Sequence, residues 1–215
     1  MNSGTRTLVV DGPAGAIDVA LDVPSGPVTG VAVVAHPHPL FGGTRDNKVV
    51  QTLARALLAT GHACWRPNFR GVGASAGEHD EGRGETEDLL AVVAAARSHE
   101  TANAGAAAAL VLAGFSFGSF VQTRVAARLR EQGAPATRLV LVGTATSRFE
   151  VETVPDDTVL IHGELDDTVP LQSVFDWARP QQLPVIVIPG ADHFFHRRLP
   201  LIKRIVVEAL EARRP

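Results

Sequence analysis

Short apolar runs alternate with segments of helical apolar periodicity along most of this 215-residue chain, and that alternation reads as an α/β fold. Two short alternating segments at the start add an antiparallel hairpin. The remainder of the chain implies a mostly parallel central sheet with helices on both faces. The link from Gly143 to Asp157 is short, no sequence is left over for a large lid domain, and residues 1–215 are expected to form a single domain.

The elements come in a regular order. Residues 5–10 and 16–23 make the hairpin, joined by Asp11-Gly12-Pro13-Ala14-Gly15, with Ile17, Val19 and Leu21 alternating. Residues 30–35 are a continuous apolar run, the pattern of a strand buried on both faces, and end at His36-Pro37-His38-Pro39. Residues 44–60 place Val49, Val50, Leu53, Leu57 and Leu58 on one helical face, and Gly61 stops the helix. A strand at 62–67, a glycine-rich loop at 68–84 and a helix at 86–97 come next, the helix turning Leu89, Leu90, Val92, Val93 and Ala96 inward. Residues 101–107 are low in complexity and read as a linker. Strand 108–113, helix 117–130, strands 138–142 and 158–162, a helix near 169–178, strand 184–188 and a helix from about 199 complete the pattern.

Composition removes several classes of function. With 45% hydrophobic and 20% charged residues the chain has the make-up of a globular domain, which excludes a disordered or collagen-like chain. A formal charge of −3 supplies no basic field, so nucleic acid is not an expected partner. No apolar run nears the ~20 residues that span a bilayer, and the first residues lack the apolar core of a secretion signal, so a cytoplasmic location away from membranes is expected. The single cysteine, Cys64, excludes an internal disulfide and a cysteine-based zinc cage; within Ala63-Cys64-Trp65 it reads as a buried structural thiol.

The chemistry centres on a serine. Gly-x-Ser-x-Gly occurs at Gly114-Phe115-Ser116-Phe117-Gly118 and again at Gly73-Ala74-Ser75-Ala76-Gly77. A nucleophile elbow needs a strand running in and a helix running out. Ala109-Leu110-Val111-Leu112-Ala113 precedes Ser116 and a helical period comes after it, whereas Ser75 sits between glycines and Glu78-His79-Asp80-Glu81-Gly82. Ser116 is therefore the candidate nucleophile, its alternative being an ordinary helix cap. A serine hydroxyl needs a base and an acid to orient that base. Asp166 and Asp167 both come after the strand that ends at His162, and His193 comes after the last strand, so all lie on the rim where open α/β sheets build their sites. One aspartate is expected to orient the base and the other to cap a helix. His196 is the reserve for His193. His36 and His38 are weak candidates for metal ligation beside two prolines, and His36 is better read as orienting its loop.

With these residues in that order the chain resembles the α/β-hydrolase superfamily, and it is similar to its small, lidless bacterial branch, related to dienelactone hydrolases and serine aminopeptidase-like hydrolases. The resemblance runs from about Gly30 to the last helix. It is carried by His36-Pro37-His38-Pro39-Leu40-Phe41-Gly42-Gly43, Asp46-Asn47-Lys48-Val49-Val50, Asn68-Phe69-Arg70-Gly71-Val72-Gly73-Ala74-Ser75, the Ser116 elbow, His162-Gly163-x-x-Asp166 and Asp192-His193-Phe194. It implies Asp166 as the acid in place of Asp167, and Ser75 as part of a structural loop. It also implies an oxyanion hole made by the backbone N–H of Phe117 with that of His38, or of its neighbour Leu40. Dienelactone hydrolases proper use cysteine where this chain has serine.

The expected function is a serine hydrolase that cleaves small esters through an acyl-enzyme, without cofactor or metal. A thioesterase or peptidase on the same triad, or a non-catalytic binding protein, are the alternatives. Leu40, Phe41, Phe115 and Phe194, with Phe117 and Phe195, flank the site in sequence and are candidates to line an apolar acyl pocket, core packing being the alternative role of each phenylalanine. The acidic stretch from Glu78 to Glu87 reads as a solvated loop.

Overall fold

The opening alternation folds as a hairpin, β1 (Arg6–Gly12) against β2 (Gly15–Asp22), in a computed structural model that describes residues 4–104 and 109–212. The chain continues through β3 (Gly30–Ala35), α1 (Lys48–Ala59), β4 (His62–Pro67), α2 (Arg83–Ala104), β5 (Ala109–Phe115), α3 (Phe117–Glu131), β6 (Arg138–Val142), β7 (Val159–Gly163), α4 (Leu171–Ala178), β8 (Ile186–Ile188) and α5 (Leu199–Glu211). The sheet order is β1-β2-β4-β3-β5-β6-β7-β8. β2 meets both its neighbours antiparallel, and from β4 to β8 every pairing is parallel. The C-terminal ends of β3, β5, β6, β7 and β8 thus share one rim.

Strand parity sorts the core into two layers. Val31, Val33 and Ala35 of β3, with Leu110 and Leu112 of β5, pack among Leu89, Val92, Phe120, Val121 and Val125 of α2 and α3. Ala32 and Val34, with Val111, Ala113 and Phe115, pack on the other face among Val49, Leu53 and Leu57 of α1 and Ile202 and Val206 of α5. Strands covered on both faces need the unbroken apolar runs that the sequence shows. Cys64 is fully buried in the second layer, and burial pushes its thiol well above the usual range.

Several boundaries differ from expectation for local reasons. α1 begins at Lys48 because the Asn47 side chain accepts the Val49 amide at 2.9 Å and caps the helix there. α2 runs from Arg83 to Ala104, so the expected linker is helical up to residue 104, and residues 105–107 lie outside the described residues. β8 starts at Ile186, two residues after Pro184, which has no N–H to give a neighbour. The acidic stretch is a solvated loop only in its first part, where Glu78 and Glu81 are exposed. Glu85 and Asp88 are buried: the Glu85 carboxylate accepts the amides of Asp80 (2.9 Å) and Gly82 (2.8 Å), and Asp88 takes a two-pronged bond from Arg70. Those bonds start α2 three residues early and tie the glycine loop to it.

Arg66 on β4 and Asp22 on β2 form a buried ion pair at 2.8 Å, and the same guanidinium donates to the Arg45 carbonyl at 2.8 Å. The pair pins the hairpin to the approach to α1. Removing one member of such a pair leaves an uncompensated charge in the interior. Asp22→Ala is expected to lower the unfolding free energy by roughly 3 kcal/mol in urea titrations. A loss below about 1 kcal/mol would mean that the exposed Asp46 carboxylate, 3.4 Å from Arg66, takes over the charge.

Candidate active site

β5 delivers the chain to Ser116 and α3 takes it away, and the turn between them is strained. Ser116 has φ 56° and ψ −119°, a conformation that costs on the order of 1–3 kcal/mol for a residue with a side chain. The strain persists because the surroundings over-determine the turn. A Cβ on Gly114 would lie 2.5 Å from the Gly118 carbonyl oxygen, and one on Gly118 would lie 2.5 Å from the Ala35 carbonyl oxygen. Only glycines let α3 start so close to β3 and β5. The Ser116 amide donates to Val142 O at 2.9 Å, and its side chain makes no capping bond, so the helix-cap alternative does not apply.

Two buried side chains of α3 that sequence reasoning passed over complete the lock. The Ser119 hydroxyl donates to Gly114 O at 2.7 Å and accepts the Val142 amide at 3.1 Å, and Gln122 Nε2 donates to Val33 O (2.9 Å) and Ala113 O (3.0 Å). Their signal was polarity among the apolar residues of the helix's inward face.

The three separated candidates meet on the rim. His193 Nε2 is 3.0 Å from Ser116 Oγ, and His193 Nδ1 is 2.7 Å from Asp166 Oδ2. All three side chains are buried. With an ionised Asp166, which can only accept, Nδ1 carries the ring proton and Nε2 faces the serine hydroxyl as acceptor. The other Asp166 oxygen accepts the amides of Thr168 (3.0 Å) and Val169 (2.7 Å). Asp166 therefore both orients the histidine and closes its own turn. The expected division of labour fails here: Asp167 is exposed and accepts only the Thr168 hydroxyl at 3.3 Å, and α4 is preceded by Pro170, with no side-chain cap. His162 Nε2 donates to Val169 O at 2.9 Å and holds that turn, and burial keeps its pKa below the usual histidine value.

No family model matches the chain. Among solved structures, a lidless α/β serine hydrolase from Xanthomonas campestris is 34% identical, with 100% of this chain and 97% of that one covered at a TM-score of 0.88. An α/β serine hydrolase homologue from Coxiella burnetii is 33% identical, over 94% and 96% of the two chains, at a TM-score of 0.79. The chain belongs to the α/β-hydrolase superfamily. An uncharacterized protein of Rickettsia prowazekii is also 32% identical over 195 residues, 86% of this chain and 80% of that one.

In this hydrolase a cavity of about 390 Å³ opens over Ser116 and His193. Its walls include His38, Phe41, Phe117 and Phe194, together with Arg148 and Phe149 from the link between β6 and β7. That link, residues 143–158, is irregular, with turns at 146–148 and 156–157 and no helix. Phe149 stacks on Phe120 at 4.6 Å and meets Phe117 edge-on at 5.2 Å, which fixes its place in the wall. Neither Arg148 nor Phe149 was anticipated; the one available signal was that their segment leaves the C-terminal end of a strand on the active rim.

Three expected wall residues are elsewhere. Phe115 is fully buried in the α1/α5 layer, because it shares strand parity with Val111 and Ala113, and it supports the His193 ring from 5.0 Å. Leu40 is exposed beside the cavity and does not line it. Phe195 is core, while Phe41, Phe117 and Phe194 do reach the wall. His196 is exposed and paired with Asp192, so the reserve histidine is a surface residue. Ser75 is structural: its hydroxyl accepts the Asp18 amide (2.9 Å) and donates to Asn68 O (2.8 Å).

His36 orients its loop, as expected. Its Nε2 accepts the Phe69 amide at 2.9 Å and its Nδ1 donates to Pro37 O at 2.7 Å, which leaves no lone pair for a metal. His38 Nδ1 accepts the Leu40 amide at 3.3 Å. No group of three or more His, Cys, Asp or Glu among the described residues is placed to hold a metal ion.

Burial lowers the His36 pKa to about 4, against the opposing bond to Pro37 O. Between pH 6.5 and about 4 the unfolded chain binds a proton at His36 that the native protein does not. The His36 contribution to stability is therefore whole above that window and falls by about 1.4 kcal/mol for each pH step down through it. The imidazole nitrogen shifts of His36 are expected to stay those of the neutral Nδ1–H ring down to about pH 5; titration near the ordinary histidine value would contradict its burial.

Proposed function

We propose that this hydrolase cleaves small carboxylic esters through an acyl-enzyme formed on Ser116. One observation carries the reading: a continuous hydrogen-bonded chain from Ser116 through His193 to Asp166 at the base of an open, largely apolar cavity. A retired site on the same fold could lose either the serine or the histidine without structural penalty, and here both are in register.

Ser116 Oγ attacks the ester carbonyl carbon while its proton passes to His193 Nε2, and Asp166 stabilises the imidazolium that results. The carbonyl oxygen becomes an oxyanion held by the amides of Phe117 and His38. The Leu40 amide is engaged by His38 Nδ1, which favours His38 as the second donor. Each such donor contributes on the order of 3 kcal/mol to the transition state. The N-terminal end of α3 adds a favourable dipole for the same charge. His193 then gives its proton to the departing alkoxide as the C–O bond breaks. Water enters, loses a proton to His193 and attacks the acyl carbon; Ser116 leaves with that proton and the carboxylic acid is released.

The helix-free link at the cavity favours a site that needs no interfacial activation, so activity on nitrophenyl esters is expected to fall as the acyl chain lengthens. A steady rise to long chains with a jump at the micelle concentration would oppose this. The protein is proposed to act in the cytoplasm on a small molecule, as one domain.

A fluorophosphonate is expected to add once, at Ser116, by intact mass and peptide mapping. An adduct at Ser75, or none on folded protein, would reject the nucleophile. Ser116→Ala should lower kcat by about 10⁴-fold or more on protein free of host esterase. Asp166→Asn should approach that loss while Asp167→Asn stays near wild type, and the reverse order would move the acid by one residue.

A further inference from the structure

The cavity walls contain one full-time charge. Arg148 lines the cavity, and no aspartate or glutamate does so among the described residues. The arginines that tie the loops of this fold together each meet a carboxylate: Arg45 meets Asp18, Arg66 meets Asp22, Arg70 meets Asp88 and Arg138 meets Asp157. Arg148 has no carboxylate within ion-pair distance among the described residues. Two buried acids beside the site are engaged elsewhere. Asp166 is held by His193 and two amides, and Glu85 by the amides of Asp80 and Gly82 beside His79.

The backbone that carries Arg148 is fixed. The amides of Arg148 and Phe149 both donate to Ala145 O at 3.3 Å, and Ala145 is buried. Phe149 is clamped between Phe117 and Phe120, and the Thr146 hydroxyl bonds that of Ser173 at 2.8 Å. The exposed Arg148 side chain thus lines the cavity from an anchored turn, with its fork of donors unspent. It stands close enough to His38 for its charge to act on that ring. A planar guanidinium with free donors suits the bidentate recognition of a carboxylate.

We propose that Arg148 determines specificity by binding a carboxylate on the substrate, so that the preferred esters are anionic half-esters or esters of a carboxylated alcohol. This assignment rests on Ser116 being the nucleophile. Both kinds of substrate present the same anion to Arg148 and differ in which side of the scissile bond carries it.

The test uses two matched pairs of esters. The mono-para-nitrophenyl ester of glutaric acid against para-nitrophenyl pentanoate places the charge on the acyl side. Para-acetoxybenzoate against phenyl acetate places it on the leaving group. For each pair the readout is the ratio of kcat/KM, charged over neutral, in wild type, Arg148→Gln and Arg148→Lys, with fluorophosphonate labelling of Ser116 run alongside. Wild type is expected to favour the charged member of at least one pair. Arg148→Gln should cut that ratio about tenfold or more, mainly through KM, and Arg148→Lys should recover part of it. The responding pair identifies the side that carries the carboxylate. Labelled wild type with no charge preference in either pair, or a ratio unchanged in Arg148→Gln, overturns the role of Arg148 and leaves the nucleophile standing. A wild type that does not label at Ser116 overturns the nucleophile, and this assignment with it.

Discussion

The approach of α3 to the sheet is the constraint on which the rest of this site depends. The first turn of the helix comes so near β3 that a single Cβ on Gly118 would collide with the carbonyl of Ala35. That proximity forces Ser116 into left-handed backbone and presents its hydroxyl above the strand ends. It also places the Phe117 amide in the first turn of a helix, where backbone N–H groups have no partner within the helix. The strain is offset by bonds reaching in from both sides: Ser119 ties the elbow to β6, and Gln122 ties it to β3. Since the turn is held by buried hydrogen bonds and close packing, it has little freedom to relax into an unstrained shape.

Around that elbow, loops are held by buried polar side chains that bond to backbone. His36 reaches Phe69, His162 reaches Val169 and Ser75 bridges Asp18 to Asn68. Burial lowers the pKa of both structural histidines, which favours the neutral ring whose nitrogens act as fixed donor and acceptor. The consequence is a division among histidines. His36 and His162 serve as rigid braces, while His193 alone bridges a carboxylate and the serine hydroxyl. Glu85 performs the same bracing with a carboxylate, collecting amides at the start of α2.

Much of this was legible from residue order alone. Periodicity and turn chemistry act over short stretches, so strands, helices and the choice of Ser116 over Ser75 come from immediate neighbours. The order serine, aspartate, histidine, each just past a strand end, put the three candidates on one rim before any contact was known. Parity along β5 also carried the reason that Phe115 faces the α1/α5 layer, since it sits two and four residues after Ala113 and Val111. Reading aromatic neighbours as pocket wall overlooked that alternation.

What the local pattern could not supply is partnership between segments far apart in the chain. An acidic run reads as solvated throughout unless it is known that the Asp80 and Gly82 amides turn toward Glu85. The link after β6 carries no periodicity. Phe149 joins the wall, and Arg148 comes to the cavity, because the order β3-β5-β6 sets that link beside the elbow. Local sequence determined the elements and the chemistry they display, because backbone preference and side-chain alternation are short-range. Only the assembled sheet decided which charges are buried, paired or left free, because those depend on neighbours that the chain meets after folding.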